Sequence, residues 1–467
     1  MKIEKAVVAS FFALMANCGF AEGLTCLSHW RETPEQKSER MAWWMNDRFG
    51  MFIHFGLYSM AARHEWVLSR ERLSDEAYRR YFDYFSPDRF DARKWAKAAR
   101  EAGMKYAVLT AKHHDGFCLW DSAVTDYKVT KTGFGRDVVR EFVDAFRAEG
   151  LRVGLYYSLV DWHHPDYTID STHPRRPARF KGEWDMRWSG ENLTNELARL
   201  NVGRDMSKYR RFLKDQVTEL LTKYGKIDLF WFDWVLDPAE PWCKTAVDYD
   251  SVGLLERVRR LQPNILVNNR LGLKKYADGW DFASPEQGIH TEWERFGENN
   301  TRWETCHTFS GSWGYYRDEK SWKTPHQLID LLVKSVSYGG NLIMNVGPTS
   351  RGNFDERADA SLAVYGKWLR DNARAIYGCT SAPKEFEPPE GTRLTWNPAT
   401  KRLYIHILDY PFSALECRFV DRIAYAQFLH DGSEIPLNWA SKLDVPVPAP
   451  AVEVPVIEIM LKEASRP

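Results

Sequence analysis

Four segments in the first half of the chain are continuous apolar runs, without polar and apolar positions alternating. Such runs are typical of parallel strands that are covered on both faces. Segments with helical periodicity lie between them, and a glycine follows the last periodic residue of each, as is usual where a helix ends. The predicted strands are 50–58, 106–112, 152–159 and 227–233, and the predicted helices are 91–102, 137–149 and 205–224.

Four shorter strand candidates continue this pattern, followed by a helix near 355–371. Alternating strands and helices predict an α/β fold, and eight strands predict a (β/α)8-type barrel. The gap between the fifth and sixth candidates is too short for a helix, so we expect the second half of the barrel to be irregular. These later strands are predicted at 264–269, 279–283, 305–309 and 341–347.

After residue 380 the pattern changes to alternating positions, as in 402–408, and prolines accumulate. Alternation with frequent turns predicts antiparallel strands that have one covered face. We therefore expect a catalytic barrel over 22–379 and a small C-terminal antiparallel β-sandwich over 380–467.

The N-terminus has the features of an export signal. Lys2 and Lys5 precede an apolar stretch at 6–16 that is too short to span a bilayer, and small residues lead to a cleavage point after Ala21. The sequence predicts a signal peptide over 1–21 and export to a periplasmic, extracellular or lysosome-like compartment. Cys18 leaves a lipid-anchored form open. No later run is long enough to cross a membrane, so a transmembrane protein is not expected.

Composition excludes some functions. The formal net charge is +0, whereas a nucleic-acid-binding protein normally has a basic excess. The chain has 20 Trp, which can form core or stack against sugar rings. The six cysteines after Cys18 are scattered, which supports neither a zinc site nor a disulfide framework, although one or two bridges remain open. We expect no metal and no cofactor.

Polar and charged residues follow the predicted strands where a core would not place them. In a barrel the carboxyl ends of all strands meet at one rim, where catalytic residues lie. The sequence therefore predicts an active site formed by residues from different strands: His54, His113, His114, Tyr156 or Tyr157, Asp233, Arg270, Glu286 and Glu304.

Asp233 ends a buried apolar strand, so its carboxylate must be paired or functional. An ion pair with Arg270 is the structural alternative. Two carboxyl groups that flank a glycosidic bond are the machinery of a glycosidase. Asp233 fits the nucleophile and Glu286 the acid/base, with burial beside Pro285 expected to raise the pKa of Glu286. Glu304 is the other acid/base candidate.

His113 and His114 are adjacent, so on a strand they would point to opposite faces. This spacing does not suit a metal pair. We expect the histidines, with His54, to donate hydrogen bonds to substrate hydroxyls. It stays open whether one of the two adjacent histidines is instead part of the core.

Several motifs in a fixed order carry a specific resemblance. They are RFGMFIHFGLYS, EW at 65–66, AGMKYAVLTAKHHDGFCLWDSAVTDY, GLYYSLVDW, IDLFWFDW, WETCHTFSGSWGY and SYGGNLIMNVGPTSRGNF. In order and spacing they resemble the α-L-fucosidases of glycoside hydrolase family 29 over the whole barrel. The WETC, SWGY and GGNLIMNVGP stretches are more similar to the broad-specificity branch of that family.

The resemblance implies an exo-acting hydrolase that removes terminal α-L-fucose from glycans with retention, through a covalent fucosyl-aspartate intermediate and without a metal. It implies Asp233 as nucleophile. Ser-Pro-Glu implies Glu286 as acid/base, with Glu304 of the WETC motif as the alternative. The resemblance also implies a substrate pocket, formed by His54, Glu65, Trp66, His113, His114, Tyr156, Trp231, Arg270 and Trp313.

The sequence departs from the family at two places. Trp234 follows the nucleophile where many relatives have glycine, and Val67, Leu68 and Ser69 replace a more aromatic run. We expect both changes to lie near the leaving group, so the leaving-group preference and the linkage stay open.

Other functions remain as alternatives. A retaining glycosidase for a related sugar would use the same groups. A carbohydrate-binding barrel without turnover would keep the aromatic residues but lose a carboxylate. A metal-dependent hydrolase is disfavoured by the histidine spacing. The natural glycan, the oligomeric state and the role of the C-terminal sandwich are not given by the sequence.

Overall fold

A computed structural model describes residues 24–177, 191–235, 244–288, 301–438 and 441–462. The predicted signal peptide over 1–21 lies outside these residues. The helices of the described part are α1 (Pro34–Asp47), α2 (Tyr58–Ala61), α3 (Val67–Arg70), α4 (Asp75–Asp83), α5 (Ala92–Glu101), α6 (Val138–Ala148), α7 (Glu191–Leu200), α8 (Met206–Lys223), α9 (Ala246–Tyr249), α10 (Ser251–Leu261), α11 (Pro325–Ser337) and α12 (Glu356–Asn372).

A seven-stranded parallel sheet forms the barrel wall. Its strands are β1 (Phe49–Ile53), β2 (Tyr106–Lys112), β3 (Arg152–Ser158), β4 (Leu229–Asp233), β5 (Leu266–Val267), β6 (Glu304–Thr308) and β7 (Asn341–Val346). They lie in the order β5-β4-β3-β2-β1-β7-β6. The (β/α)8-type architecture and its irregular second half are confirmed, because the wall between β5 and β6 is closed without a regular strand.

The strand predicted at 279–283 is not a strand. This segment contacts its neighbours through isolated bridges, from Phe282 to Asn268 and from Ala283 to Trp303. Here side chains make the hydrogen bonds that the backbone of a paired strand would otherwise make. The Asp281 carboxylate accepts the Val267 N–H at 2.8 Å, and the Asn268 amide bonds to both the N–H and the C=O of Phe232 at 2.9 Å. These bonds end β5 after two residues.

The three helices predicted in the first half of the barrel are present. Asp91, Asp137 and Asp205 cap α5, α6 and α8, because each carboxylate accepts a backbone N–H of the first turn. Gly103 and Gly150 follow α5 and α6 with φ of +85° and +76°, a conformation that residues with side chains rarely adopt. Capping therefore fixes where each helix ends and the next strand begins.

Two antiparallel sheets follow the barrel. One contains β8 (Thr380–Ser381), β9 (Thr392–Asn397), β10 (Arg402–Ile407), β12 (Ile423–Phe428) and β15 (Val456–Leu461), and the other contains β11 (Ala414–Glu416), β13 (Leu437–Asn438) and β14 (Lys442–Asp444). They enclose a separate apolar core. The C-terminal β-sandwich is thus confirmed.

The sandwich packs against the last barrel helix, α12, and against the short turn that follows it. The Thr395 hydroxyl donates to the Ala375 carbonyl at 2.7 Å, and the Trp368 indole donates to the Val454 carbonyl at 3.1 Å. No helix among the described residues is long and apolar enough to cross a membrane. The five cysteines in the described part, Cys26, Cys118, Cys306, Cys379 and Cys417, are unbridged.

Candidate active site

A cavity of about 1000 Å³ opens at the carboxyl ends of the barrel strands. Eleven of the twelve predicted site residues line it, and Glu304 does not. The lining includes Asp233, Glu286, His54, Glu65, Trp66, His113, His114, Tyr156, Trp231, Arg270 and Trp313. The fold thus brings these residues together from segments that are far apart in the sequence.

Asp233 is the last residue of β4, and its side chain is 13% exposed. One carboxylate oxygen accepts the Tyr156 hydroxyl at 2.7 Å, and the other accepts Arg270 Nη1 at 2.9 Å. The ion pair with Arg270 therefore exists, but it lies on the wall of a cavity. These two donors stabilise the negative charge and fix the orientation of the carboxylate.

Arg270 links the two candidate catalytic carboxylates. Its Nη1 also donates to Glu286 Oε2, at 3.0 Å. Two oxygens on one nitrogen at 2.9 and 3.0 Å are at most about 6 Å apart. Retaining glycosidases separate their carboxyl groups by about 5–5.5 Å, and inverting ones by about 6.5–9.5 Å. The spacing of Asp233 and Glu286 is therefore below the inverting range.

Two further contacts hold the Arg270 guanidinium. Its Nη2 donates to the Ser284 carbonyl at 3.1 Å, and its plane lies over the Trp231 ring at 4.6 Å. A planar guanidinium whose N–H groups are bonded to acceptors on several sides has little freedom to turn. Arg270 thus acts as a fixed bridge between Asp233 and Glu286.

The expected burial of Glu286 is wrong. Its side chain is 44% exposed, because the segment after Pro285 runs along the rim and pairs with Cys306 only through the backbone. An exposed position at the cavity mouth leaves the carboxyl group open to a leaving group and to water.

Glu304, the alternative acid/base, lies at the opposite end of its strand. It begins β6, is fully buried, and accepts hydrogen bonds from the Trp44 indole at 3.2 Å and from the Tyr106 hydroxyl. Burial raises the pKa of Glu304 to about 7. It is a carboxyl group of the barrel interior, and it does not reach the cavity.

Hydrogen bonds define the tautomer of His114. Its Nδ1 lies 2.6 Å from the Ser158 hydroxyl, and that hydroxyl donates its own proton to the Val160 carbonyl at 2.9 Å. His114 Nδ1 must then carry the proton in this pair. The unprotonated Nε2 faces Asp233 Oδ2 at 3.8 Å, so it can accept a hydrogen bond.

His54 has the same arrangement. The Asn345 amide donates to the Trp313 carbonyl at 2.6 Å, which turns its oxygen towards His54 Nδ1, also at 2.6 Å. His54 Nδ1 is therefore a donor and Nε2 an acceptor. Hydrogen bonding of His54 and His114 to substrate hydroxyls stays a prediction, and with Nδ1 occupied each ring would take part through the Nε2 lone pair.

His113 and His114 do not point to opposite faces. Both line the cavity, with ring centroids 4.1 Å apart, so neither is a core histidine. β2 ends at Lys112 after a register shift, and strand alternation no longer applies beyond it. A turn closed from Gly116 N–H to the His113 carbonyl at 3.0 Å presents both rings. Gly116 has φ of +79°, and a Cβ there would lie 2.3 Å from Asp161 Oδ1.

The three histidines are expected to stay neutral in weak acid. Burial lowers the pKa of His54 and of His114 to about 3 and that of His113 well below its usual value. At pH 5 the rings of His54 and His114 therefore remain neutral in the folded protein, whereas histidines of the unfolded chain titrate near pH 6.5. The unfolded state binds more protons below pH 6.5, so the stability contributed by these rings declines as the pH falls through that value.

Ring-nitrogen chemical shifts of labelled histidine, recorded between pH 7 and pH 5, test this prediction. The denatured chain is the control, in which all signals should titrate. An imidazolium signal from His54 or His114 of the folded protein above pH 5 contradicts it.

Glu65 and Trp313 complete the inner wall of the cavity. Glu65 is buried, accepts the Gly314 N–H at 2.9 Å, and has its pKa raised by burial. The Trp313 ring lies 5.2 Å from that of His54. Phe52 also lines the cavity beside Trp231, at 5.4 Å. The wall combines apolar ring faces with a few fixed polar atoms.

Two supporting residues were not predicted. Ser158 and Asn345 hold His114 and His54, and each is a polar residue that follows an apolar run, at the end of β3 and near the end of β7. That change from apolar to polar is the signal that could have identified them. Of the two departures from the family, Trp234 lines the cavity, whereas Val67, Leu68 and Ser69 are buried in α3 behind its lining, between Trp66 and Arg70, which do line it.

A barrel whose cavity combines two neighbouring carboxylates with aromatic ring faces and buried histidines fits the class of glycoside hydrolases. The sequence model of the Alpha-L-fucosidase family matches residues 25–374. The chain belongs to the α-L-fucosidase family.

Individual relatives agree with this assignment. The chain is similar to α-L-fucosidase isoenzyme 1 of Paenibacillus thiaminolyticus, with 41% identity, a TM-score of 0.79, and coverage of 91% of this chain and 100% of that one. A Bacteroides thetaiotaomicron α-L-fucosidase trapped as a covalent intermediate with 2-fluoro-fucosyl fluoride has 27% identity and a TM-score of 0.73, over 95% and 98% of the chains. Rat plasma α-L-fucosidase is 29% identical over 401 residues, 80% of this chain and 78% of that protein.

Proposed function

We propose that this protein is a retaining exo-α-L-fucosidase in which Asp233 is the nucleophile and Glu286 the acid/base. The observation that carries the proposal is the pair of carboxylate oxygens on Arg270 Nη1, at 2.9 and 3.0 Å. It supports a double displacement, because two groups this close leave no room for a water molecule between Asp233 and the anomeric carbon.

In the first step the Asp233 carboxylate attacks the anomeric carbon of a terminal α-L-fucose. The bond from that carbon to the glycosidic oxygen breaks, and Glu286 gives its proton to the departing oxygen. The Tyr156 hydroxyl and Arg270 hold Asp233 in line. The products are a β-linked fucosyl ester of Asp233 and the free leaving group.

In the second step Glu286, now a carboxylate, takes a proton from water. The resulting hydroxide oxygen bonds to the anomeric carbon, and the bond to Asp233 breaks. Two inversions give net retention, so the product is α-L-fucose. The exposure of Glu286 at the rim gives it access both to the leaving group and to water.

The cavity wall supports fucose as the substrate sugar. C6 of fucose is a methyl group, and Phe52, Trp231 and Trp313 offer ring faces that favour such a group. The Nε2 atoms of His54 and His114 accept hydrogen bonds, which suits sugar hydroxyls that donate. We assign Glu65, Trp66 and His113 to the same pocket because they line it.

The first product anomer tests the mechanism. Proton NMR during hydrolysis of an aryl α-L-fucoside is expected to show α-L-fucose before mutarotation. The β anomer appearing first would establish inversion and refute the double displacement. Hydrolysis of aryl β-D-fucoside or α-L-galactoside at a higher kcat/KM would instead favour a retaining glycosidase for a related sugar.

Fucosylated glycans or glycoconjugates are the proposed natural substrates. The N-terminal pattern supports removal of residues 1–21 on export, and relatives named plasma α-L-fucosidases support an exported protein. We keep 22–379 as the catalytic unit and 380–467 as the C-terminal unit. N-terminal sequencing of the mature protein tests the first boundary.

A further inference from the structure

Trp234 directly follows Asp233 in an unusual backbone conformation. Its φ is +110°, where residues with side chains are rarely found. The backbone is tied on both sides, since Leu159 N–H donates to the Asp233 carbonyl and Val235 N–H donates to the Arg270 carbonyl, each at 3.2 Å. A bulky residue persists in such a conformation only where its surroundings compensate for the strain.

The compensation comes from an aromatic cluster formed by Trp66, His114, Trp162 and Trp234. The Trp234 ring lies 5.5 Å from Trp66, and its edge-to-face contact with His114 is at 5.3 Å. Trp66 and Trp162 contact the same His114 ring at 5.1 and 5.3 Å. His114 is therefore surrounded by three indoles, and Trp234 is the one that comes from the nucleophile strand.

This placement matters because the hydrogen bond that holds His114 is made at Nδ1, the ring nitrogen that does not face Asp233. Nδ1 is bonded to Ser158 at 2.6 Å, while Nε2 is directed at Asp233 Oδ2, 3.8 Å away. A single bond at Nδ1 does not by itself fix the plane of the ring, so packing contacts have to do so. The Trp234 indole supplies one of these contacts, beside those of His113, Trp66 and Trp162.

We propose that Trp234 is a positioning residue: its indole, held in a strained backbone next to the nucleophile, fixes the His114 ring so that Nε2 faces Asp233 and a sugar hydroxyl. The inference rests on the proposed function, because it concerns the same site. It couples the orientation of His114 to the strand end that carries Asp233.

A double-mutant cycle tests the coupling. With an aryl α-L-fucoside, Trp234→Ala is expected to lower kcat/KM about tenfold in the otherwise unchanged enzyme, but less than about threefold when His114→Ala is already present. Trp234→Phe keeps a ring against His114 and is expected to restore most of the loss. Trp396→Ala, a half-buried tryptophan of β9 in the sandwich, is the matched control, and its effect should be the same in both backgrounds.

The backbone strain at Trp234 can be tested separately, by measuring the stability of variants. At ordinary strand positions alanine is more stable than glycine, but at φ of +110° the order reverses, because glycine has no Cβ to clash. Trp234→Gly is therefore expected to unfold at a higher denaturant concentration than Trp234→Ala. The same comparison stays available if both variants are inactive.

The outcomes are distinct. If Trp234→Ala lowers kcat/KM by the same factor with and without His114, Trp234 does not act through His114 and the inference is overturned. It is also overturned if Trp234→Ala is the more stable of the two variants, since the strain is then absent. A wild-type protein that does not hydrolyse the aryl α-L-fucoside refutes the proposed function itself, and this inference with it.

Discussion

Asp233→Gly is expected to lower kcat on an aryl α-L-fucoside by roughly 10⁴-fold or more, because the variant cannot form the covalent intermediate. Such a loss corresponds to about 5.5 kcal/mol of transition-state stabilisation. Arg270 and Tyr156 would keep their positions around an empty space where the carboxylate stood. Steady-state kinetics on a variant whose circular dichroism matches wild type measures the effect.

Added azide gives the result a chemical signature. Azide that occupies the space left by Asp233 attacks the anomeric carbon directly, and one inversion gives β-L-fucosyl azide. Asp228→Asn is the matched control, because Asp228 directly precedes the same strand at its other end. Counted over the whole residue, Asp228 and Asp233 are equally buried, each being 9% exposed. We expect the control to stay within a few-fold of wild type. Near-normal turnover by Asp233→Gly would exclude Asp233 as nucleophile.

Glu286→Gln is expected to lower kcat/KM by about 10²- to 10⁴-fold on fucosides with poor leaving groups, the usual contribution of a general acid. The loss should be smaller with an activated aryl leaving group, which departs without a proton. Azide should then attack the fucosyl ester of Asp233, and this second inversion gives α-L-fucosyl azide. The two variants are therefore distinguished by the anomer of the azide product, which NMR resolves.

Glu304→Gln is the control for Glu286→Gln and decides between the two candidates. Glu304 is buried between Trp44 and Tyr106, and burial raises its pKa to about 7, so it is largely protonated in weak acid. Glutamine keeps its shape and neutrality, and we expect kcat/KM within about threefold of wild type below pH 6. A large loss in Glu304→Gln that azide restores, with Glu286→Gln unaffected, would reverse the assignment.

The parts of the fold that follow from local pattern were predictable. β2 and the helices capped by Asp91, Asp137 and Asp205 were predicted to within one or two residues, because apolar runs and caps are local signals. The segment at 279–283 was not predicted correctly. The Asp281 carboxylate takes the Val267 N–H that the backbone of a strand would otherwise accept, and only the folded chain brings Val267 to it.

The active site, too, has features that could be predicted from the sequence and features that could not. Residue type and position at strand ends were enough to select Asp233, Glu286 and Arg270 as a set. Their chemistry depends on distances between segments that are remote in sequence, and the bridging position of Arg270 Nη1 is one of these. Burial of Glu286 was predicted from its neighbours in sequence, and it failed because exposure is a property of the assembled rim.

The amino-acid sequence by itself determined the barrel with its sandwich, the family, and the residues that line the cavity, because these follow from periodicity, strand ends and ordered motifs. Only the tertiary structure decided three features: which glutamate reaches the cavity, which nitrogen of His54 and of His114 carries the proton, and that Trp234 packs against His114. Each of these depends on a hydrogen bond or contact between segments that folding alone brings within a few ångströms.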